Sequence, residues 1–242
     1  MPSSTSALTE SCPGRPAGGG AVRAALDVVK ELMAPRKIVV LGDMLELGAD
    51  ATEEHGGLAE AIEASGAHII FTVGQHMRSL HEALLARGYA RKRVLWMPDP
   101  ISALEALLVL TMYEENGRGI AAPQVGIATR VFAMKPENTS GLYEPFAAFN
   151  PQVLDASTDT EDAFEGCLSF PDMFLEVRRP KTIVAEFVDR DNVSRIIELT
   201  GIDARCFLHE LDHLDGICFI NRVSKLKLNI AKRKMTKHGR TK

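Results

Sequence analysis

The sequence predicts two folded parts: a small α/β unit built on a parallel sheet, then an α+β unit that carries the chemistry. Three observations support this. Between residues 21 and 97, short β-branched runs alternate with helical patterns, as in a parallel sheet covered by helices. Beyond residue 117, strand candidates follow one another and lead into one long helix. That helix carries His209-Glu210-Leu211-Asp212-His213, an H-E-x-x-H run whose imidazoles share a face and can grip one ion.

Taken in order, residues 21–33 read as an amphipathic helix stopped near Pro35. Residues 37–41 form an apolar, β-branched strand ended by Gly42-Asp43, and residues 52–65 form a second helix. Residues 68–73 give a strand closed by Gly74, residues 77–87 a helix, and residues 93–97 a third strand. Pro98-Asp99-Pro100 breaks the pattern, and residues 101–115 then read as one helix with Ile101, Leu104, Leu107, Leu108 and Met112 on one apolar face. Strands are expected at 131–134, 146–150, 182–188 and 195–199, and the H-E-x-x-H helix at 203–214. The domains expected are a disordered segment over 1–20, the α/β unit over 21–108, the catalytic unit over 109–222 and a basic tail over 223–242.

With 45% hydrophobic and 25% charged residues, the 242-residue chain has the composition of a soluble globular protein. No apolar run reaches the length of a membrane span, so no membrane partner is expected. Four cysteines at irregular spacing argue against a disulfide scaffold and for a reducing cytoplasm, which would keep Cys167 free. The first twenty residues have no apolar core for a secretory signal; an organellar targeting segment is the minor alternative. The net charge of −4 hides an asymmetry. After Asp215 the charged residues are all basic, which suits either contact with a polyanion such as the ribosome or a solvated terminus.

Upstream of the helix stands Glu165-Gly166-Cys167-Leu168-Ser169. One thiolate and two imidazoles leave an open position on a catalytic ion, and Glu210 sits where a general base belongs. Such soft donors suit Fe(II), Zn(II), Co(II) or Ni(II) better than Mg or Ca. Gly117 and Gly119 are expected to let a loop edge approach an extended peptide; the spacing suits neither a phosphate loop nor a dinucleotide site. Cys206 and Cys218 are expected as small apolar packing rather than ligands. A Glu165–Arg179 ion pair is expected beside the ligands, the plain alternative being two solvated charges.

Gly119-Ile-Ala-Ala-Pro-Gln-Val-Gly126, the Glu165–Ser169 segment and the H-E-x-x-H helix, in this order, resemble the peptide deformylases over residues 111–224. The resemblance implies a peptide-deformylase-like α+β catalytic domain that removes the formyl group from the N-terminal formyl-methionine of nascent polypeptides, releasing formate. It implies Cys167, His209 and His213 as ligands of one divalent metal ion, usually ferrous iron in this family. It further implies Gln124 and the Leu168 backbone N–H as oxyanion donors, and Glu210 as the group that takes the proton of the attacking water and delivers it to the leaving amine. Gly119, Ile120, Gly166 and Leu211 are implied at the substrate, with Ile120, Cys206 and Leu211 at the methionine pocket; the plain alternative for Leu211 is core packing. Some members dock on the ribosome through a C-terminal helix, so the ribosome is an expected partner of the basic tail; DNA is not.

Ahead of this part the family's opening stretch is missing, apart from residues 111–117. In its place, Arg36-Lys-Ile-Val-Val-Leu-Gly-Asp-Met-Leu-Glu-Leu-Gly48, Phe71-Thr-Val-Gly74 and Val22-Arg-Ala-Ala-Leu26 resemble the C-terminal domain of a Mur ligase, of the kind that adds D-alanyl-D-alanine. That match lacks the DxYNANPxS lead-in and the closing GDxVLxKGS strand, and the chain has no Walker-type ATP site, so ligase activity is not expected. Two functional readings follow: an active deformylase with an appended α/β fragment, or an inactive metal-binding or scaffold fusion product with a defective substrate cleft. A general zinc protease shares the H-E-x-x-H helix, but Cys167 and the Ala-Ala-Pro-Gln segment count against it.

Overall fold

The computed structural model describes residues 19–137 and 144–238. Of the segment expected to be disordered over 1–20, residues 1–18 (Cys12 among them) lie outside the described residues, as do Arg240 and Lys242 of the basic tail, whereas Gly19 and Gly20 already belong to the first helix. The chain divides between Leu104 and Glu105 into two compact units.

The first unit begins with α1 (Gly19–Glu31) and strand β1 (Ile38–Gly42), followed by α2 (Ala51–Gly56) and α3 (Ala59–Ser65). Strand β2 (Ile69–Val73), α4 (Arg78–Ala86) and β3 (Val94–Met97) complete it. The strands form a parallel sheet in the order β1-β2-β3, and every residue of central β2 is buried. A continuous apolar run is what a strand covered on both faces requires. Leu26, Leu58, Ile62, Ile70, Met77, Leu80 and Leu84 fill the core. The single helix expected over 52–65 is two helices. At Gly57 the ladder tightens, with Leu58 N donating to His55 O, and the Gly57 carbonyl accepts from Arg23 at 2.8 Å instead of continuing the helix. Two adjacent glycines, each about 1 kcal/mol poorer than alanine in a helix, make this the natural break.

Helix α5 (Pro100–Glu114) spans the division. Asp99 caps it, accepting from Ser102 N at 2.9 Å and from Ser102 Oγ at 2.8 Å, while Pro100 supplies a preset first turn. Leu107, Leu108 and Met112 are buried as expected, but Ile101 is exposed because it lies in the first turn, before the packed part begins at Ala103.

The second unit is antiparallel. Strands β4 (Gly119–Ala121), β5 (Val131–Met134) and β6 (Phe146–Ala156) are followed by β7 (Thr160–Cys167) and β8 (Phe170–Pro180). Then come β9 (Thr182–Val188), β10 (Ser194–Thr200), α6 (Gly201–Leu214) and α7 (Lys225–His238). Five strands make one sheet in the order β10-β9-β6-β5-β4, and β7 pairs with β8 as a separate hairpin. Strand β6 runs past the expected end at Asn150. There Asn150 adopts φ 48°, and the register against β9 shifts between Phe149 and Gln152, so Asn-Pro forms a bulge rather than a turn. Helix α6 lies on the sheet, where Phe207 meets Phe132 edge-on at 5.0 Å. Gly216, at φ 72°, takes the left-handed position just after this helix. No described helix is long and apolar enough to cross a membrane.

Trp96, the single tryptophan, donates from Nε1 to Gly74 O at 2.8 Å within the first unit, so its fluorescence reports that unit. Leu84→Ala, at a fully buried position, is expected to lower the stability of the Trp96-reported transition by about 2–5 kcal/mol in denaturant titration.

Candidate metal centre

Two elements bring the metal-ligand candidates together. Helix α6 presents His209 and His213 on one face, with ring centroids 5.0 Å apart. The β7–β8 hairpin ends at Cys167, whose Sγ lies 3.2 Å from His213 Nε2. One donor atom from each of Cys167, His209 and His213 falls within 4.8 Å of the others, and this is the metal-ligand cluster found among the described residues. Cys206 and Cys218 stand outside it. Cys206 is buried in the core of the second unit, where burial pushes its thiol well above the ordinary range.

The donor chemistry fits a divalent transition ion. His209 Nδ1 is engaged by Glu165 Oε2 at 3.0 Å, which leaves Nε2 as the ligating nitrogen. Burial would raise the Cys167 thiol, yet hydrogen bonds from His209 and His213 bring it down to about 6, toward the thiolate a metal requires. Burial likewise opposes charge on His209, but Cys167 and Glu165 raise it to about 10. An incoming cation therefore competes with a proton shared by these ligands.

Behind the ligands lies a buried ion network, of which the sequence predicted one pair. Arg179 grips Glu165 with both ends of its fork, Nε to Oε1 at 2.9 Å and Nη2 to Oε2 at 3.0 Å. Arg205 adds a contact to Glu165 Oε1 at 2.9 Å and also donates to the carbonyls of Val177 and Glu161 at 2.8 Å. Arg179 Nη1 reaches Asp212 Oδ2 at 2.7 Å, and Arg222 binds both oxygens of Asp212. Burial works against the Glu165 charge, but His209 and Arg179 hold its carboxyl down to about 2. Sequence reasoning missed Arg205, Asp212 and Arg222. The usable signal was spacing, since Arg205 precedes His209 by one helical turn and shares its face.

Glu210, between the ligands on α6, is buried, and its Oε2 has no hydrogen-bond partner among the described residues. Burial pushes its carboxyl up to about 7, against the pull of His209 and His213. Gly119 has its reason here rather than in peptide approach alone: a Cβ at this position would lie 2.6 Å from Glu210 Oε1 and 2.7 Å from its Cγ. A Cβ on Gly117 would likewise meet Leu168 Cδ1 at 2.9 Å. Gln124 is fixed from both ends. Its Oε1 accepts from Ala121 N at 2.8 Å, and its Nε2 donates to Ser169 Oγ at 3.1 Å and lies 3.6 Å from Cys167 Sγ. Ile120 is buried in β4, Gly166 is exposed under the Phe174 ring, and half-buried Leu211 packs beside Cys206 against the core.

Comparison with known proteins adds the family. The model of the polypeptide deformylases matches residues 90–229, more than half of the chain. The chain belongs to the polypeptide deformylase family. It is 33% identical to the peptide deformylase of Agrobacterium fabrum over 166 residues, covering 62% of this chain and 98% of that one. It is 41% identical to the enzyme of a Thermotoga strain (RQ2) over 150 residues, covering 62% and 88%. Among solved structures, the deformylase of Legionella pneumophila superposes with a TM-score of 0.52 at 30% identity, covering 58% of this chain and 82% of that one. That of Thermus thermophilus gives 0.50 at 35%, covering 55% and 78%. The glutamate ligase domain of Mur ligases matches residues 19–116, so both expected resemblances are present in one chain.

For this deformylase, Glu165→Gln keeps the shape of the side chain but leaves Arg205 without its carboxylate partner and Arg179 with Asp212 alone. It is expected to cost about 3–5 kcal/mol of stability and to loosen metal binding by about 10–100-fold, read by thermal unfolding and by metal partition against a chelator.

Proposed function

We propose that the second unit is a metal-dependent hydrolase that removes the formyl group from the N-terminal formyl-methionine of nascent polypeptides, releasing formate. The observation that carries this is the convergence of one thiol and two imidazoles within 4.8 Å, with buried Glu210 on the same helix and the Gln124 amide 3.6 Å from the thiol. Cys167, His209 and His213 would hold one ion of the Fe(II), Zn(II), Co(II) or Ni(II) class. When bound, the ion supplies Lewis acidity, which acidifies water and polarises the formyl carbonyl.

The chain's own groups supply the rest. Glu210 accepts the proton of the attacking water at its carboxylate and passes it to the leaving amine. In the metal-free site burial brings this carboxyl up to about 7, and a bound cation would draw it back toward the carboxylate that takes the water's proton. Gln124 Nε2 and the Leu168 N–H donate to the oxygen that becomes negative as the formyl carbon turns tetrahedral. The two contacts on the Gln124 amide orient it before substrate arrives, so little reorganisation accompanies the charge. β4 is an edge of the five-stranded sheet, and an extended peptide can add a strand there, with Gly119 and Ile120 beside it and Gly166, Leu211 and Cys206 near its first side chain. On this reading the protein would meet new polypeptides in the cytoplasm. Helix α7, with exposed Lys225, Lys227, Lys232 and Arg233, would face ribosomal RNA.

The test is formate release from a formyl-Met peptide by protein purified without oxygen and loaded with iron or nickel. The intact chain is expected to turn over, and Glu210→Ala is expected to lose at least about a hundredfold of that activity while keeping its ion. Stoichiometric metal without turnover in the intact chain would instead support the scaffold reading with a defective cleft.

A further inference from the structure

We infer that Arg222 is a positioning residue for the metal centre, acting on His209 through Asp212, Arg179 and Glu165. The inference rests on the metal-centre reading above. Arg222 closes the 3-10 turn Phe219–Arg222, which follows α6 and leads into α7. Its Nε donates to Asp212 Oδ2 at 3.0 Å and its Nη2 to Oδ1. Asp212 passes the contact to Arg179 Nη1 at 2.7 Å, and the other two nitrogens of Arg179 hold the Glu165 carboxylate. Glu165 Oε2 then meets His209 Nδ1 at 3.0 Å.

Each step of this chain is a charged contact, and Arg179, Asp212 and Glu165 are all buried. Arg222 itself is 43% exposed, and an ordinary surface ion pair at such a position contributes little. Here the partner is only 8% exposed, so removing the guanidinium leaves Asp212 Oδ1 short of a donor in a place water barely reaches. Asp212 must then draw harder on Arg179, which Glu165 shares. The same turn touches the ligand directly as well, because the buried Phe219 ring lies 5.8 Å from the His209 ring. The turn thus braces the ligand helix twice, through an aromatic face on His209 and a charge on Asp212.

The full-length protein loaded with Co(II) reports on this apart from turnover. The rate of Co(II) loss to excess EDTA and the thiolate charge-transfer and d–d bands are measured for the wild type, Arg222→Ala and Arg222→Gln. Lys227→Ala is the control, since Lys227 ties α7 to Glu176 of β8 at 3.0 Å without joining the network. Both Arg222 variants are expected to lose Co(II) about 10–100-fold faster with shifted d–d bands, while Lys227→Ala matches the wild type. Should Arg222→Ala fail to fold, Arg222→Gln, which keeps one donor and most of the length, carries the comparison. Wild-type release and spectra in Arg222→Gln overturn the proposal, as does equal acceleration in Lys227→Ala, which would mean general loosening of the C-terminal segment. A wild-type chain that holds no Co(II) overturns the metal-centre reading, and this proposal with it.

Discussion

The constraint on which the catalytic unit depends is the burial of Glu165. A carboxylate only 4% exposed survives as an ion because Arg179 and Arg205 surround it and His209 completes its contacts. Those partners come from β8 and from α6, so one charged group ties the hairpin to the helix. Cys167 sits two residues beyond Glu165 on the same strand. Neutralising Glu165 therefore fixes both where the thiol falls and which nitrogen His209 shows to an ion. A network of this kind adds less to stability than an apolar core of equal volume would, and its benefit lies in specifying one geometry.

Glu210 follows the opposite rule. Among the described residues its Oε2 has no hydrogen-bond partner, and its carboxyl rises instead of falling. Two carboxyl groups close together along the chain's fold thus have separate tasks, one held permanently charged to orient a ligand and one left poised to exchange a proton. Gly119 is what permits the second, since the space of its missing side chain is taken by Glu210. The glycine pattern of this loop is thereby explained by the acid–base residue as much as by peptide approach.

Much of this was legible in the sequence, and the gaps have physical causes. The H-E-x-x-H spacing states its own geometry, because a helix returns to the same face after four residues. The parallel strands were legible as apolar β-branched runs, β2 most of all. The β7–β8 hairpin was not. Its inward positions on β8 are Met173, Leu175, Val177 and Arg179, and on β7 they include Glu165. Charged residues at inward sites break the alternation by which a strand is recognised, so the element that carries the ligand cysteine was hidden by the ions that position it. The strand was expected to end at Asn150 because the bulge that absorbs Asn150-Pro151 depends on pairing with a distant strand. Arg222 was read only as one of the basic residues that follow Asp215, since its partner Asp212 is close in sequence but becomes one only after the chain turns back behind α6.

The central claim is that this network presents one sulfur and two imidazole nitrogens to a single ion. X-ray absorption at the metal edge of the cobalt- or zinc-loaded full chain, with the metal-to-protein ratio measured on the same sample, tests it most directly. The account predicts one ion per chain with one sulfur and two imidazole nitrogens in its shell. A shell without sulfur, or without the two imidazoles, would contradict it.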